Sequence, residues 1–404
     1  MTDVPAPSRA APLSTSQPGR GYTIRTGTRT SMVGAVLAVI IVLALLVAPG
    51  LISRGLLEQL VLLFVMIGLA QCWNLLAGYA GLISVGQQAF VGIGAYTLFA
   101  CIITLGLDPL LAVVLAAIAG AVLSIPIGWV VFRLQGAYFA VVTWVVSEVV
   151  RLFAAKWQAL GGGTGRNLPP AAKRGMFGVE WTSDFFDRTA DFFNNVRGWV
   201  GLPPRGAFRS ADAQAIIIYW AALVACVIIV GGVYYMLRKR VGLGLSAVKD
   251  GEIAAESVGV DLRRTKFSAF VFAGFGAALV GSIYFLLTGT ISPSAAFDLQ
   301  RWTAFVIFIV VIGGLGTIEG PILGAILYIV LQGYFSNFST WYLMGLGAFA
   351  IVVMLFAPKG LWGTFADRFD IALFPTRRRL IPLDPEAAEA MEARAHHDAP
   401  PRPH

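Results

Sequence analysis

Long runs of apolar residues, separated by short polar connections, occupy most of this 404-residue chain. Most runs are close to the ~20 residues that a helix needs to cross the hydrocarbon core of a bilayer. The runs do not alternate strictly between apolar and polar positions, which argues against a transmembrane β-barrel. The pattern predicts ten transmembrane helices, at about residues 32–51, 57–77, 83–105, 109–132, 137–155, 214–237, 267–289, 302–315, 320–337 and 340–357.

Composition also indicates a membrane protein. Hydrophobic residues make up 57% of it and charged residues 13%, whereas soluble proteins carry about a quarter charged residues. We therefore predict an all-α polytopic membrane protein. The formal charge of +8 is interpreted as basic anchors that fix topology, so no nucleic-acid partner is expected, and membrane lipid surrounds the chain. Residues 1–30 lack apolar periodicity and are predicted to form a disordered cytoplasmic tail.

Basic residues assign the sides of the membrane. They gather in the N-terminal tail, at Arg133, in residues 238–266 (the basic segment) and at Arg377–Arg379. Because cytoplasmic loops are enriched in Lys and Arg, both termini are predicted to be cytoplasmic. This needs two spans within residues 302–337; one long span would give nine crossings and an external C-terminus. The predicted organisation is a permease domain at 31–363, an external loop at 157–213 and a cytoplasmic tail at 364–404.

The basic segment separates two membrane-length runs and contains seven Lys or Arg residues. Helix formers without proline predict one short helix over residues 246–258. Gly242 and Gly244 permit a turn before this helix, and Gly259 is placed to end it. A short helix held against the membrane by basic flanks is suited to docking a cytoplasmic partner. In the external loop, residues 180–199 have the aromatic pattern of an interfacial amphipathic helix.

Few polar residues interrupt the spans, and they are the candidates for function. Glycines and uncharged polar side chains are concentrated in residues 71–96, where the glycines serve either helix packing or a helix break along a translocation route. Glu148 and Arg151 share one face of the fifth span, either as a mutually satisfied pair or as part of a gate. The candidate pathway residues are Asn74, Ser84, Gln87, Gln88, Tyr96, Tyr138, Thr143 and Glu148.

Enzyme chemistry has little support in the sequence. The three cysteines lie within predicted spans, and all three histidines lie after residue 395, so no metal or haem site is expected. The chain has no GxxxxGK[ST] loop and no recognisable nucleophile and base, so any ATP must bind another chain. We expect no catalytic residues, no cofactor on this chain and no enzymatic activity.

Five stretches together resemble the permeases of branched-chain amino acid ABC importers, the LivH/LivM group. They are GYAGLISVGQQAFVGIGAY (78–96), RLQGAYFAVVTWVVSE (133–148), GGGTG (161–165), GLGLSAVKDGEIAAESVGVD (242–261) and GGLGTIEGPILG (313–324). The resemblance covers about residues 60–363. The chain departs from the group in having Gly86–Gln87 where Gly-His is frequent, in Ile253 interrupting a Glu-Ala-Ala triplet, and in a longer, more aromatic segment at 173–209.

The resemblance implies an ABC importer permease fold in a bacterial inner membrane. It also implies a second homologous permease, two cytoplasmic ATPases that bind ATP and Mg²⁺, and a periplasmic or lipid-anchored binding protein. It assigns ATPase coupling to Ser246, Asp250, Glu252, Ala254, Ala255 and Gly259. The predicted solutes are leucine, isoleucine and valine, because the uncharged route suits a zwitterion. The alternatives are urea or short amides, and a stand-alone ion-coupled transporter that depends on Glu148.

Overall fold

The computed structural model describes residues 22–25, 29–134, 136–189, 210–335, 340–369 and 379–382, with the single residues Phe192, Val196, Gly198 and Phe374. Helices dominate these residues, and the strands among them form two short pairs instead of a sheet core. In lipid, a helix satisfies its backbone hydrogen bonds within one segment, so apolar runs of this length fold as helices. The prediction of an all-α polytopic protein is confirmed.

The first half of the chain forms β1 (Tyr22–Arg25), α1 (Arg29–Val47), α2 (Arg54–Asn74), α3 (Gln87–Leu105), α4 (Pro109–Val131), α5 (Ala137–Lys156), β2 (Arg166–Asn167), α6 (Pro170–Arg174) and α7 (Val179–Arg188). The second half forms α8 (Ser210–Arg238), α9 (Arg240–Asp250), α10 (Glu252–Ser257), α11 (Leu262–Thr288), β3 (Thr290–Ile291), α12 (Pro293–Ala296), α13 (Phe305–Gly313), α14 (Glu319–Phe335), α15 (Thr340–Phe356), α16 (Gly360–Phe369) and β4 (Arg379–Pro382). Among the described residues, nine helical segments are long and apolar enough to span a membrane, and α14 is a shorter apolar helix.

Short acidic side chains begin two of the spans. Asp108 accepts a hydrogen bond from the backbone N–H of Leu110 at 2.8 Å at the start of α4. Asp261 does the same for the N–H of Arg264 at 2.9 Å at the start of α11. Each carboxylate satisfies one of the amides that the first helical turn leaves unpaired. These caps explain why the helices begin where the polar connections end.

Residues 302–337 form two helices, as predicted, with a non-helical loop at 314–318 between α13 and α14. α14 has 17 residues and is about 26 Å long. After α15, the N–H of Phe374 donates to Glu319 at 2.8 Å, and the Phe374 ring contacts Tyr234 near the end of α8. The C-terminal segment therefore returns to the side of the basic segment, which an even number of crossings requires.

Pairing of β1 with β4 supports the same conclusion, because it joins the segment before the first span to the segment after the last. The predicted placement of both termini on one side is thus consistent with the fold, and its assignment to the cytoplasm stays a prediction. Disorder was predicted for residues 1–30. Of these, Tyr22–Arg25 form β1 and residues 29–30 begin α1, whereas residues 1–21 and 26–28 lie outside the described residues. Most of the C-terminal tail and residues 199–209 of the external loop also lie outside them.

Small residues bring three central helices close together. A side-chain carbon on Gly94 of α3 would overlap the backbone of Ala278 in α11, and one on Gly120 of α4 would overlap the Ala278 side chain. Helices in membranes gain stability from this close backbone approach, since lipid leaves little hydrophobic drive between them. By contrast, α1 exposes most of its apolar side chains, among them Val36 and Ile40, and packs at the periphery.

Candidate functional site

The chain reverses direction after α2. The helix continues as a π-helical turn at Leu75–Tyr79, and residues 80–86 (the unwound segment) then run without helix until α3 begins at Gln87. The N–H of Leu82 donates to the carbonyl of Leu76 at 2.9 Å, which turns the chain back alongside α2. Two predicted spans are therefore joined by non-helical chain, and the second helix begins at Gln87 instead of the predicted residue 83.

Two side chains fix how far the unwound segment runs back. The Trp73 indole N–H donates to the carbonyl of Ser84 at 2.8 Å, and the Gln87 amide donates to the carbonyl of Leu69 at 2.8 Å. Leu69 lies ten residues before Tyr79, or about 15 Å along a helix. The unwound segment therefore lies at membrane depth, where irregular backbone is tolerated only if protein buries it or it lines a water-filled cavity.

The unwound segment has one protected and one open side. Its amides at Val85 and Gly86 donate to the Thr143 and Ser84 hydroxyl oxygens, at 3.0 and 3.3 Å. Ser84 and Thr143 are buried, whereas Ile83 is 59% exposed. One side of the segment is packed against α5 through Thr143, and the other side, which carries Ile83, is exposed on the surface of this chain.

Gln88 joins three elements in the protein interior. Its amide N–H donates to the Ser147 hydroxyl of α5 at 2.8 Å, and its carbonyl oxygen accepts from the Thr303 hydroxyl in the π-helical turn at Gln300–Ala304. All three side chains are at most 2% exposed. Buried polar groups that lose a partner are strongly unfavourable, so this network specifies how α3, α5 and the turn pack. Ser147 and Thr303 were not among the predicted candidates.

Asn74 holds the loop between α13 and α14. Its amide donates to the Thr317 carbonyl at 2.7 Å, and its oxygen accepts from the N–H of Gly316 at 2.8 Å. Gln71, one helical turn earlier, donates to the carbonyl of Ile318 at 2.5 Å. Gly316 has a φ of +79°, which favours glycine because other residues rarely adopt it. The predicted residue Asn74 thus clamps a loop, and Gln71, which was not predicted, assists it.

Lys249 connects the basic segment to the end of α2. Its ammonium group donates to the carbonyl of Gly78, in the π-helical turn, at 2.7 Å. A cation is favourable there because the carbonyls at the end of a helix carry partial negative charge. The sequence pointed to the segment but not to this lysine, since the partner is a backbone oxygen 171 residues away.

The basic segment contains two helices instead of the single helix predicted over 246–258. α9 begins before the two glycines that were predicted to form a turn. Gly251 interrupts the helix and separates α9 from α10. Gly242 packs so closely on the backbone of Leu237 that no side chain fits. Asp250–Gly251 is a turn sequence that the prediction passed over. Gly259, with a φ of +83°, follows the end of α10, as predicted.

The predicted coupling residues mostly lie on the surface. Ser246, Asp250, Ala254 and Gly259 are exposed, whereas Ala255 is buried. Glu252 bonds the ammonium of Lys266, at the start of α11, at 2.7 Å. Glu252 therefore has an intramolecular role, holding α10 to the adjacent span, in addition to any partner contact.

Three predicted pathway residues lie apart from these contacts. Tyr96 is buried against Phe297, and its hydroxyl has no hydrogen-bond partner among the described residues. Tyr138 is 75% exposed at the start of α5. Glu148 is half-exposed and bonds the Arg151 guanidinium, so the pairing that their spacing indicated is present. Along the described chain, no three His, Cys, Asp or Glu side chains gather into a metal site.

On the opposite end of the bundle, β2 pairs with β3 and fixes the start of the external loop to the end of α11. Leu168 donates its N–H to the carbonyl of Gly289 at 2.8 Å, beside this pair. The predicted amphipathic helix is present as α7, and its remainder falls largely outside the described residues. The loop is therefore anchored at its first turn, beside the GGGTG stretch.

Comparison with known proteins agrees with this architecture. Residues 55–358 match the family described as the branched-chain amino acid transport system / permease component. The chain is 29% identical over 315 residues to the high-affinity branched-chain amino acid transport system permease protein LivM of Escherichia coli, covering 78% of this chain and 71% of that protein. The LivM protein of Salmonella typhimurium matches with the same identity and coverage. No solved structure matches the chain. The chain therefore belongs to the branched-chain amino acid transport permease family, as a multi-pass permease of the LivM type in the bacterial inner membrane.

Proposed function

We propose that this chain is the pathway-forming permease of an ATP-driven importer for leucine, isoleucine and valine. It works with a second homologous permease, two cytoplasmic ATPases and a binding protein that delivers the solute. The chain itself binds no cofactor and catalyses no reaction, and ATP and Mg²⁺ bind the ATPases. Family membership supports the permease role, and the transport function for which the relatives are named supports the solute class.

The Lys249–Gly78 contact carries this proposal. It links an exposed segment, available to a soluble partner, to the point where α2 gives way to the unwound segment. Movement imposed on α9 would therefore reach irregular backbone at membrane depth without passing through a flexible linker. ATP binding in the partners would drive alternation between states by favouring one arrangement of this junction over the other.

The polar character of the route favours a zwitterionic solute. The unwound segment offers backbone groups and uncharged side chains. The charge of Glu148, the acidic residue among the predicted pathway candidates, is already compensated by Arg151. A solute with net charge would call for a compensating intramembrane charge, which is costly in a helix centre. The aliphatic side chain of leucine or valine fits an apolar surface such as that of Ile83.

Co-purification and reconstitution test the proposal together. The tagged chain is extracted in mild detergent, its partners are identified by mass spectrometry, and the assembly is reconstituted with its binding protein. We expect two ATPases, a second permease and ATP-dependent uptake of labelled leucine. Uptake by the chain alone, driven by a proton or sodium gradient, would refute the proposal, and uptake of urea in place of leucine would refute the solute assignment.

A further inference from the structure

A groove lies beside the basic segment, between the last turns of α4 and the first turns of α11. It consists of two cavities of about 410 and 760 Å³, whose walls share Trp129, Arg263 and Phe267. Both helices are membrane spans, and the groove lies where they meet the basic connections. The groove is therefore at a membrane–water boundary, on the side of the basic segment.

The larger cavity opens toward the hydrocarbon. Ile125 and Pro126 of α4 contribute to its wall, and Ile125 is 49% exposed within a membrane span. Trp129, one turn further, is 53% exposed. Tryptophan is enriched at the level of lipid headgroups, where its ring contacts apolar chains and its N–H reaches polar groups. This part of the groove offers an apolar track that leads from the lipid to the boundary.

The smaller cavity is basic, and one of its cations and one cation of the larger cavity are neutralised locally. Lys266 bonds Glu252 at 2.7 Å, and Arg264, in the wall of the neighbouring cavity, bonds Asp261 at 3.0 Å. These pairs leave their surroundings close to neutral. They also fix the first turn of α11 in place.

Two arginines in the groove lack a carboxylate partner among the described residues. Arg133 and Arg263 both line the smaller cavity. The Arg133 guanidinium lies 3.9 Å from the centre of the Trp129 ring, a cation–π contact that holds its planar face and leaves its N–H edge for another group. Guanidinium groups bind phosphate through two parallel hydrogen bonds, so an uncompensated pair of arginines is suited to a phosphate.

We propose that this groove binds an anionic phospholipid, with its headgroup phosphate between Arg133 and Arg263 and an acyl chain along Ile125 and Phe267. Basic pockets between transmembrane helices at the cytoplasmic boundary suit anionic headgroups. The apolar opening into the membrane fits a lipid better than an acidic protein surface, which would leave this opening unfilled. The lipid would contact α11 beside Glu252 and so brace the basic segment.

Lipid titration of the purified full-length chain tests this site. The chain, delipidated in a neutral detergent, is titrated with phosphatidylglycerol and followed by native mass spectrometry. We expect Arg133→Gln/Arg263→Gln to weaken binding at least tenfold. The matched control, Arg54→Gln/Lys156→Gln, removes two cations from the opposite ends of the spans and should bind as the wild type does.

Three outcomes of the titration would overturn the proposal: equal binding by the double variant, equal binding of phosphatidylcholine, or displacement by millimolar inorganic phosphate, which would indicate a free-anion site. A separate co-purification of the double variant with the ATPases would also overturn it if the ATPases were lost while lipid binding in the titration was unchanged, because the arginines would then contact a protein. Because the titration uses the chain without partners, its failure would leave the proposed transport function unaffected.

Discussion

Replacing Lys249 with methionine separates ATPase docking from transmission. The side chain keeps its length but loses the ammonium group that bonds the Gly78 carbonyl at 2.7 Å. A hydrogen bond from a charged group contributes about 1.5–3 kcal/mol. Lys249 lies on an exposed face of α9, so the lower end applies. About 1.5 kcal/mol corresponds to a tenfold shift between states that do and do not make this contact.

The assay measures leucine uptake and ATP hydrolysis in proteoliposomes that contain the full importer and its binding protein. We expect Lys249→Met to lower uptake about tenfold, while the ATPases still co-purify in wild-type amounts. Lys249→Arg should retain most of the activity, because a guanidinium also donates to the carbonyl. Lys239→Met is the matched control: it removes another cation of the basic segment, whose ring contact is with Tyr235.

Wild-type uptake by Lys249→Met would refute the transmission argument, because the contact would then carry no difference between states. Loss of the ATPases from that variant would also refute it, since Lys249 would act in docking and not in transmission. A defect of the same size in Lys239→Met would show that overall charge matters and not the Gly78 contact.

Three further predictions concern the buried contacts. Asn74→Ala removes both hydrogen bonds to the 314–318 loop and should lower the free energy of unfolding by about 2 kcal/mol. The loss is measured as a lower melting temperature, by size-exclusion chromatography after heating. A wild-type melting temperature would show that other contacts hold the loop. Gln88→Leu should destabilise by a similar amount. Adding Thr303→Val should recover part of the loss, because it removes the hydroxyl that Gln88→Leu leaves without its acceptor; no recovery would contradict the Gln88–Thr303 bond. Glu148→Gln should leave leucine uptake within about fivefold, since a half-exposed pair contributes at most ~1 kcal/mol; abolished uptake would favour an ion-coupled mechanism.

The sequence predicted the helical architecture well, because long apolar runs leave few alternatives in a membrane. The division of residues 302–337 into two helices came from the distribution of arginines, and α13 and α14 are separate helices there. α14 is shorter than the other apolar helices, so its crossing of the membrane stays a prediction. Charge distribution works here because it reports on sidedness, which adds a constraint that hydrophobicity alone lacks. Helix ends were less predictable, as α2 extends into a π-helical turn that has no sequence signal.

The polar contacts could be predicted only in part. Asn74, Gln87 and Gln88 were candidates because amides facing lipid are costly, and all three are buried and bonded. Their partners were not predictable, since a backbone carbonyl has no sequence signature and the Gln88–Thr303 pair is separated by 215 residues. The break at Gly251 was missed because helix formers on both sides outweighed a single turn signal in a propensity argument.

The spacing of two α2 residues and one residue of the π-helical turn that continues α2 explains why these contacts belong to one mechanism. Gln71, Asn74 and Gly78 are separated by three and four positions, so they lie on one face of the helix. That face bonds the 314–318 loop through the first two and the basic segment through Lys249. The loop, the end of α2 and α9 are therefore held as one body. The unwound segment follows this body directly after Tyr79. If the body is displaced, we therefore expect the backbone of the unwound segment to change conformation.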